Sequence, residues 1–322
     1  MSKPFSYPMW RALGLISASA FLAASPALAQ TSAADLAARL SAMSAVTGYE
    51  QRMVDTMLTL LPGAKRDRAG DAVLVLGSGE PRRLIACPLD EPGYAVGGLR
   101  DDGYLTLRRL PGHNIPPLFD QQLEGQRVTV FGRLGAVPGV VAVRSTHLTR
   151  GRSGGSDDPF TVDGAYVDVG ASSRADLARL GVTVLSPVTL AKRPHRYGRD
   201  LLAAPVAGRR SACAALLAAA RARQVKGTVV IALVVEQNLY RRGILTVANV
   251  GGPVDQVVLL TARAGELGTI GTEAETDPVP NARESVRWLL PVRFADSPVE
   301  TVSLGDVAKL QQRVERWMGG GE

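Results

Sequence analysis

Near the start of the chain, apolar residues recur at helical spacing. Leu36, Leu40 and Met43 mark one face, and Val54, Met57, Leu58 and Leu61 mark another. Residues three and four apart share a helix face, so this spacing predicts two helices between Ala33 and Leu61. TGYE opens the second, with Thr47 and Glu50 placed as a capping box, and Pro62-Gly63 ends it. The pattern then shortens. AVLVLG and RLIAC read as consecutive strands, with Gly77-Ser78-Gly79 between them as a hairpin signal.

From Pro92 to Tyr197 the strands are short and glycine is frequent: YAVGGL, YLTLRRL, QRVTVFG and GVVAVR, separated by turns such as Asp101-Asp102-Gly103. This predicts a small antiparallel β unit of barrel type, with GRSGGSDD (151–158) as a mobile loop. Helix and strand then alternate again. SACAALLAAARARQ reads as a helix, GTVVIALVVEQ and QVVLLTA as buried strands, and WLLPVRF as a last strand. Residues 264–284 lack periodicity and read as a loop. A closing helix starts at Ser303, with Asp306 as capping partner, and turns Leu304, Val307, Leu310, Val314 and Trp317 to one side. The expected architecture is therefore α/β: a central mixed sheet flanked by helices, written in two pieces (30–91 and 198–322) around an inserted small antiparallel β domain (92–197).

Composition adds a location. Lys3 and Arg11 flank the apolar run ALGLISASAFLAA, and Ala27-Leu28-Ala29 fits the small-x-small cleavage rule, so residues 1–29 read as a secretory signal. The expectation is a periplasmic or secreted protein with no stable membrane anchor after cleavage. With 46% hydrophobic residues, enough apolar surface is available for a large core. The net charge of +7 is scattered in pairs such as Arg82-Arg83, Arg108-Arg109, Arg209-Arg210 and Arg241-Arg242, which read as solvated faces. No basic stripe is interleaved with aromatics, so a nucleic-acid partner is not expected. Cys87 and Cys213 read as small buried thiols, with pairing open in an oxidising compartment.

The chemistry-bearing stretch is LIACPLDEPGYAVGGL (84–99), where a strand delivers Asp90 and Glu91 to its end. The plain reading of Asp90 is a strand-end carboxylate accepting hydrogen bonds. No G-x-S-x-G elbow occurs, and Gly251-Gly252-Pro253 precedes a strand, so it reads as a turn and not as a phosphate loop.

In order and spacing, SAVTGYEQRMVDTM, RAGDAVLVLGSG, LIACPLDEPGYAVGGLRDDGYLTLRRLPG, LEGQRVTVFG, GVVAVRSTHL, AYVDVGASSRADLARLGV and LPVRFADSPVE resemble the tetrahedral, glutamyl and deblocking aminopeptidases. The resemblance implies a zinc-peptidase-like fold, two zinc or cobalt ions and a free glutamate as general base, with the inserted β domain used for assembly. It also implies where each ligand belongs. The first histidine's place holds Pro88, two residues before the orienting Asp90. The bridging aspartate falls on Gly208, and the base and next ligand fall on Gln237 and Asn238. A further aspartate falls in Thr261-Ala262, and the last histidine on Asp296.

Shifting by one residue brings Glu236 to the base position. Of the histidines, His113, His147 and His195 all read as surface or turn residues of the insert. The interval after Ala262 is also shorter than the resemblance implies, which removes part of a substrate pocket. The expectation is a catalytically inactive pseudo-peptidase with no cofactor, acting through a peptide or protein partner or as a homo-oligomer through the inserted domain. The alternative is a divergent metal-dependent aminopeptidase using zinc or cobalt to hydrolyse N-terminal residues of peptides.

Overall fold

A computed structural model describes residues 31–110, 119–142, 160–222 and 224–321. Residues 1–29, read as a secretory signal, residues 151–158, read as a loop, and His113 and His147 lie outside the described residues.

Helices α1 (Ala33–Ser41) and α2 (Gln51–Leu60) form where the apolar spacing predicts them. Ser32 caps α1, its hydroxyl accepting from the Asp35 amide, and Leu36, Ala37 and Leu40 face the core. The capping box predicted for α2 is not made. Thr47 instead donates to Asp90, and Glu50 accepts from the Gly48 and Glu236 amides. Buried polar groups farther along the chain need these partners, whereas a helix end near the surface is served by water.

Strands β1 (Lys65–Arg66), β2 (Ala72–Gly77) and β3 (Arg82–Pro88) begin the main sheet. The chain then leaves it for β4 (Tyr94–Leu99), β5 (Leu105–Arg109), β6 (Arg127–Gly132), β7 (Gly135–Val141), β8 (Tyr166–Asp168), the short helix α3 (Arg174–Arg179) and β9 (Pro187–Leu190). These six strands close into an antiparallel barrel in the order β4-β5-β8-β7-β6-β9. Val96, Leu107, Val128, Val130 and Val188 fill it, one from every second position, as the strand period requires.

The remainder comprises β10 (His195–Tyr197), β11 (Leu201–Ala203), α4 (Ala207–Ala220), β12 (Thr228–Val234), α5 (Arg242–Gly251), β13 (Val254–Ala264), β14 (Gly271–Ala274), β15 (Ala282–Val292), β16 (Thr301–Ser303) and α6 (Leu304–Met318). The main sheet runs β1-β2-β12-β3-β13-β15-β14, and β10, β11 and β16 form a small second sheet. This is the expected mixed sheet with an inserted barrel.

Two local expectations are corrected, and one helix is added. β2 and β3 do not pair as a hairpin, because β12 lies between them, antiparallel to β2 and parallel to β3. All seven residues of β12 are buried, so it occupies the centre of the sheet, where both faces are covered. Within 264–284, β14 adds an antiparallel edge strand to β15. RGILTVANVG, whose β-branched residues and glycine disguise it, is helix α5, held by packing Ile244, Val247 and Ala248 on the sheet.

Helices α1, α2, α4 and α6 share one core with the sheet, and α5 covers the other face. Helix α4 is buried nearly all round, and its alanines let it lie close to the strands. Because β3, β12, β13 and β15 are parallel, their C-terminal ends meet at one edge of the sheet. The first turn of α4 meets the same edge, where α/β sheets commonly place their sites.

Candidate functional site

Asp90 and Glu91 follow directly on β3 and are almost fully buried. The Asp90 carboxylate accepts from the Thr47 hydroxyl at 3.0 Å and the Asn238 amide at 2.8 Å, with an Arg209 guanidinium nitrogen 3.4 Å from its other oxygen. Asn238 also donates through its side chain to Thr47. The plain reading of Asp90 as a hydrogen-bond acceptor at a strand end is what the structure contains.

Glu91 is held more tightly still. One carboxylate oxygen accepts from the Ala45 amide, and the other pairs with Lys192 and, at 3.2 Å, with Arg210. Burial works against the charge on Glu91, but Lys192 and Arg210 outweigh it and hold the carboxyl below its ordinary range. Arg210 also donates to the Leu89 carbonyl, and Arg209 to the Asp90 carbonyl. Two consecutive residues of α4 thus wrap the end of β3.

The other aligned positions are brought to the same edge with little chemistry left. Pro88 is paired in register with Val234 of β12. Gly208, in the first turn of α4, donates its amide to Glu300, and a side-chain Cβ there would stand 2.5 Å from Val292 Cγ1 and overlap Ala262. The Gln237 side-chain oxygen is buried without a hydrogen-bond partner among the described residues. Asp296 is exposed in a left-handed backbone conformation and donates its amide to Glu300. Glu236 turns toward Arg242, 2.6 Å away, so a one-residue shift does not supply a free base. His195 is exposed and stacked on Tyr197, the surface role expected of it.

Three buried carboxyls near this edge are not marked as site residues by their sequence, in which Glu50 reads only as a helix cap. Glu50 is pushed up to about 7, chiefly by burial with Asp90 adding repulsion. Asp71 is raised to about 8 by burial and by the neighbouring Asp67 and Glu236. Glu300 is also raised, by burial working against the amides of Gly208 and Asp296. No spacing rule marks Asp71 or Glu300, and the one that marks Glu50 assigns it to a helix cap, because each gains its environment from segments far away in the chain.

Two readings of the sequence are overturned. Cys87 and Cys213 are not separate thiols: a disulfide joins β3 to α4 across 5.5 Å between Cα atoms, a separation suited to the bond. The arginine pairs are not all solvated faces either. Arg210 is 1% exposed, and Arg83, buried at 7%, donates to the carbonyls of Trp317, Lys226 and Met318. An arginine buries where carboxylates or carbonyls can take its donors: Arg83 gives both terminal nitrogens to carbonyls and Arg210 meets Leu89 and Glu91, while the Nε of each has no hydrogen-bond partner among the described residues.

These residues do not fit a pair of zinc or cobalt ions. The oxygens of Asp90 and Glu91 are already taken by amides, a hydroxyl and three cationic side chains, and the bridging position has room for no side chain at all. Among the described residues, no group of three or more histidine, cysteine, aspartate or glutamate side chains is arranged to hold a metal ion.

The fold, with its edge-on site and inserted barrel, defines an aminopeptidase-type α/β protein. The M42 glutamyl aminopeptidase profile matches residues 70–249, and the chain belongs to that family. SgcX of Escherichia coli (strain K12), named as an aminopeptidase, is 31% identical over 214 residues, which are 63% of this chain and 56% of SgcX. The chain thus spans little more than half the length of that curated relative.

Among solved structures, the aminopeptidase APDkam598 from the archaeon Desulfurococcus kamchatkensis superposes with a TM-score of 0.77 at 17% identity, covering 89% of this chain and 94% of that one. The Pyrococcus horikoshii TET1 peptidase, described as assembling into a tetrahedron or a large octahedral shell, gives 0.76 at 19% identity, covering 89% and 99%.

Proposed function

We propose that this chain is an exported member of the aminopeptidase family that does not hydrolyse peptides and works by binding or assembly. One observation carries the reading: Gly208, where the resemblance places the bridging aspartate, has no room for a side chain, and Asp90, which would orient a histidine at Pro88, is held instead by Thr47, Asn238 and Arg209. A carboxylate already satisfied by fixed cations and amides has little left to offer a metal ion. The disulfide supports export, since such bonds persist in oxidising compartments. A homo-oligomer built through the inserted barrel is the assembly we favour, on the analogy of the shells formed by the TET1 relative.

A second reading is favoured by the family match itself: a divergent zinc- or cobalt-dependent aminopeptidase that removes N-terminal residues from peptides. A fluorogenic aminopeptidase screen with added zinc or cobalt separates the two. The non-hydrolytic reading predicts no turnover above a metal-only blank on any substrate. Chelator-sensitive turnover would establish the second reading.

A further inference from the structure

A groove runs along the outer face of β6, where the barrel meets residues 42–52 of the α/β part. Three cavities of about 620, 290 and 480 Å³ follow one another along it. The first two share Thr129 and Lys192, and the last two share Ser44, Arg52 and Phe131. Strand alternation makes the floor. Val128 and Val130 turn into the barrel core, leaving Arg127, Thr129 and Phe131 outward, with Arg133 in the hairpin turn that follows.

Charge is concentrated at the two ends of this row. Arg127 and Arg193 line one end, and Arg52 and Arg133 the other. Among the described residues none of these four guanidinium groups has a hydrogen-bond or ion-pair partner. The one further cation, Lys192, is committed inward to Glu91. Asp168 lines the widest cavity, with one carboxylate oxygen taken by the Gly170 amide. Between the ends Ala42, Met43 and half-buried Phe131 give apolar surface beside Ser44 and Thr129, and Leu185, 64% exposed, extends it toward Arg133. Five strand steps separate Arg127 from Gly132, about 17 Å, and Arg133 follows in the hairpin turn.

We propose that this groove binds an extended peptide segment of a partner protein, acidic at two points about six residues apart and apolar between them. The proposal rests on the binding role inferred above. Opposite charge at each end fixes register, and apolar side chains between them bury against Phe131. A single-stranded nucleic acid fits less well, because it needs cations tracking every phosphate and a series of stacking aromatics.

The test is fluorescence anisotropy on the purified protein with a labelled peptide of about eight residues, acidic at both ends with leucine and valine between. The comparison probes are the same peptide with lysines at its ends and an oligothymidylate. The expected result is saturable binding of the acidic peptide alone, weakened about five-fold by Arg133→Gln or Arg193→Gln and more by both together. Both residues are exposed, so the melting temperature of each variant should match that of the parent. Equal binding of the lysine peptide, tighter binding of the oligonucleotide, or no saturable binding of any probe would overturn the proposal. Metal content of the same preparation tests the non-hydrolytic reading separately, so the failure of either is recognisable on its own.

Discussion

The Cys87–Cys213 disulfide should be a principal clamp on the α/β part of the molecule. It closes a loop of 126 residues that contains the whole barrel, joining the chain before the insertion to the chain after it. In the chain-entropy account a loop of this length destabilises the unfolded state by about 5 kcal/mol. Replacing both cysteines by alanine also removes two small buried side chains, and partial relaxation of the native state offsets part of the total. The double variant should therefore lose about 3 to 5 kcal/mol. For a chain of this length that lowers the melting temperature by about 5 to 8 °C. Differential scanning calorimetry of the parent and the double variant measures the change. Parent protein refolded under reductant should melt with the variant, whereas a chelator should move neither. A variant melting within about 1 °C of the oxidised parent would refute the reasoning.

Three further outcomes follow from the same edge of the sheet. Arg210→Met leaves buried Glu91 with Lys192 as its only cationic partner, and should cost about 3 kcal/mol in urea unfolding, partly recovered when Glu91→Gln is added; a loss below about 1 kcal/mol would show the pair to be dispensable. Glu50 and Asp71 titrate near 7 and 8 in the native state, above their unfolded values, so the native chain holds protons that the unfolded chain releases. Their stability is fully present below about pH 4 and is lost as pH rises through about 7 and 8. Asp71→Asn should accordingly raise the melting temperature at about pH 8 and change it little at about pH 5; the reverse order would contradict the sign. Pro88→His alone should confer no zinc binding by equilibrium dialysis, because Gly208 still cannot carry a bridging side chain; stoichiometric zinc in that variant would show the alignment to be wrong.

Much of this fold is legible in the sequence because its signals are local. The apolar spacing of α1 and α6, the glycine-punctuated strands of the barrel and the continuous apolar run of β12 each declare their element within a few residues. Ser303 accepts from the Asp306 amide as its spacing predicts, although the Asp306 carboxylate turns away to the Gly268 amide and Lys309. What escapes is whatever depends on segments distant in the chain. The turn after β2 looks like a hairpin, and only the arrival of β12, some 150 residues later, separates the two strands.

The candidate site shows the same division. Resemblance locates Pro88, Gly208, Gln237 and Asn238 at one edge, and the structure assembles them there. The partners that neutralise the two acidic residues are Arg209, Arg210 and Lys192, drawn from α4 and from the exit of the barrel. Nothing in an arginine pair says whether it faces water or a buried carboxylate. The cysteine pairing is hidden for a similar reason, since only three-dimensional geometry brings two apolar segments within bonding distance.

The central claim is that the chain holds no pair of metal ions at the end of β3, because Gly208 is sterically closed and Asp90 and Glu91 are taken up by Arg209, Arg210 and Lys192. The direct measurement is the metal content of the purified protein after incubation with excess zinc or cobalt and removal of free metal, read by inductively coupled plasma mass spectrometry. The account predicts well under one ion per chain, unchanged by prior treatment with chelator. Two tightly held ions per chain, removed by chelator and restored on reloading, would contradict it.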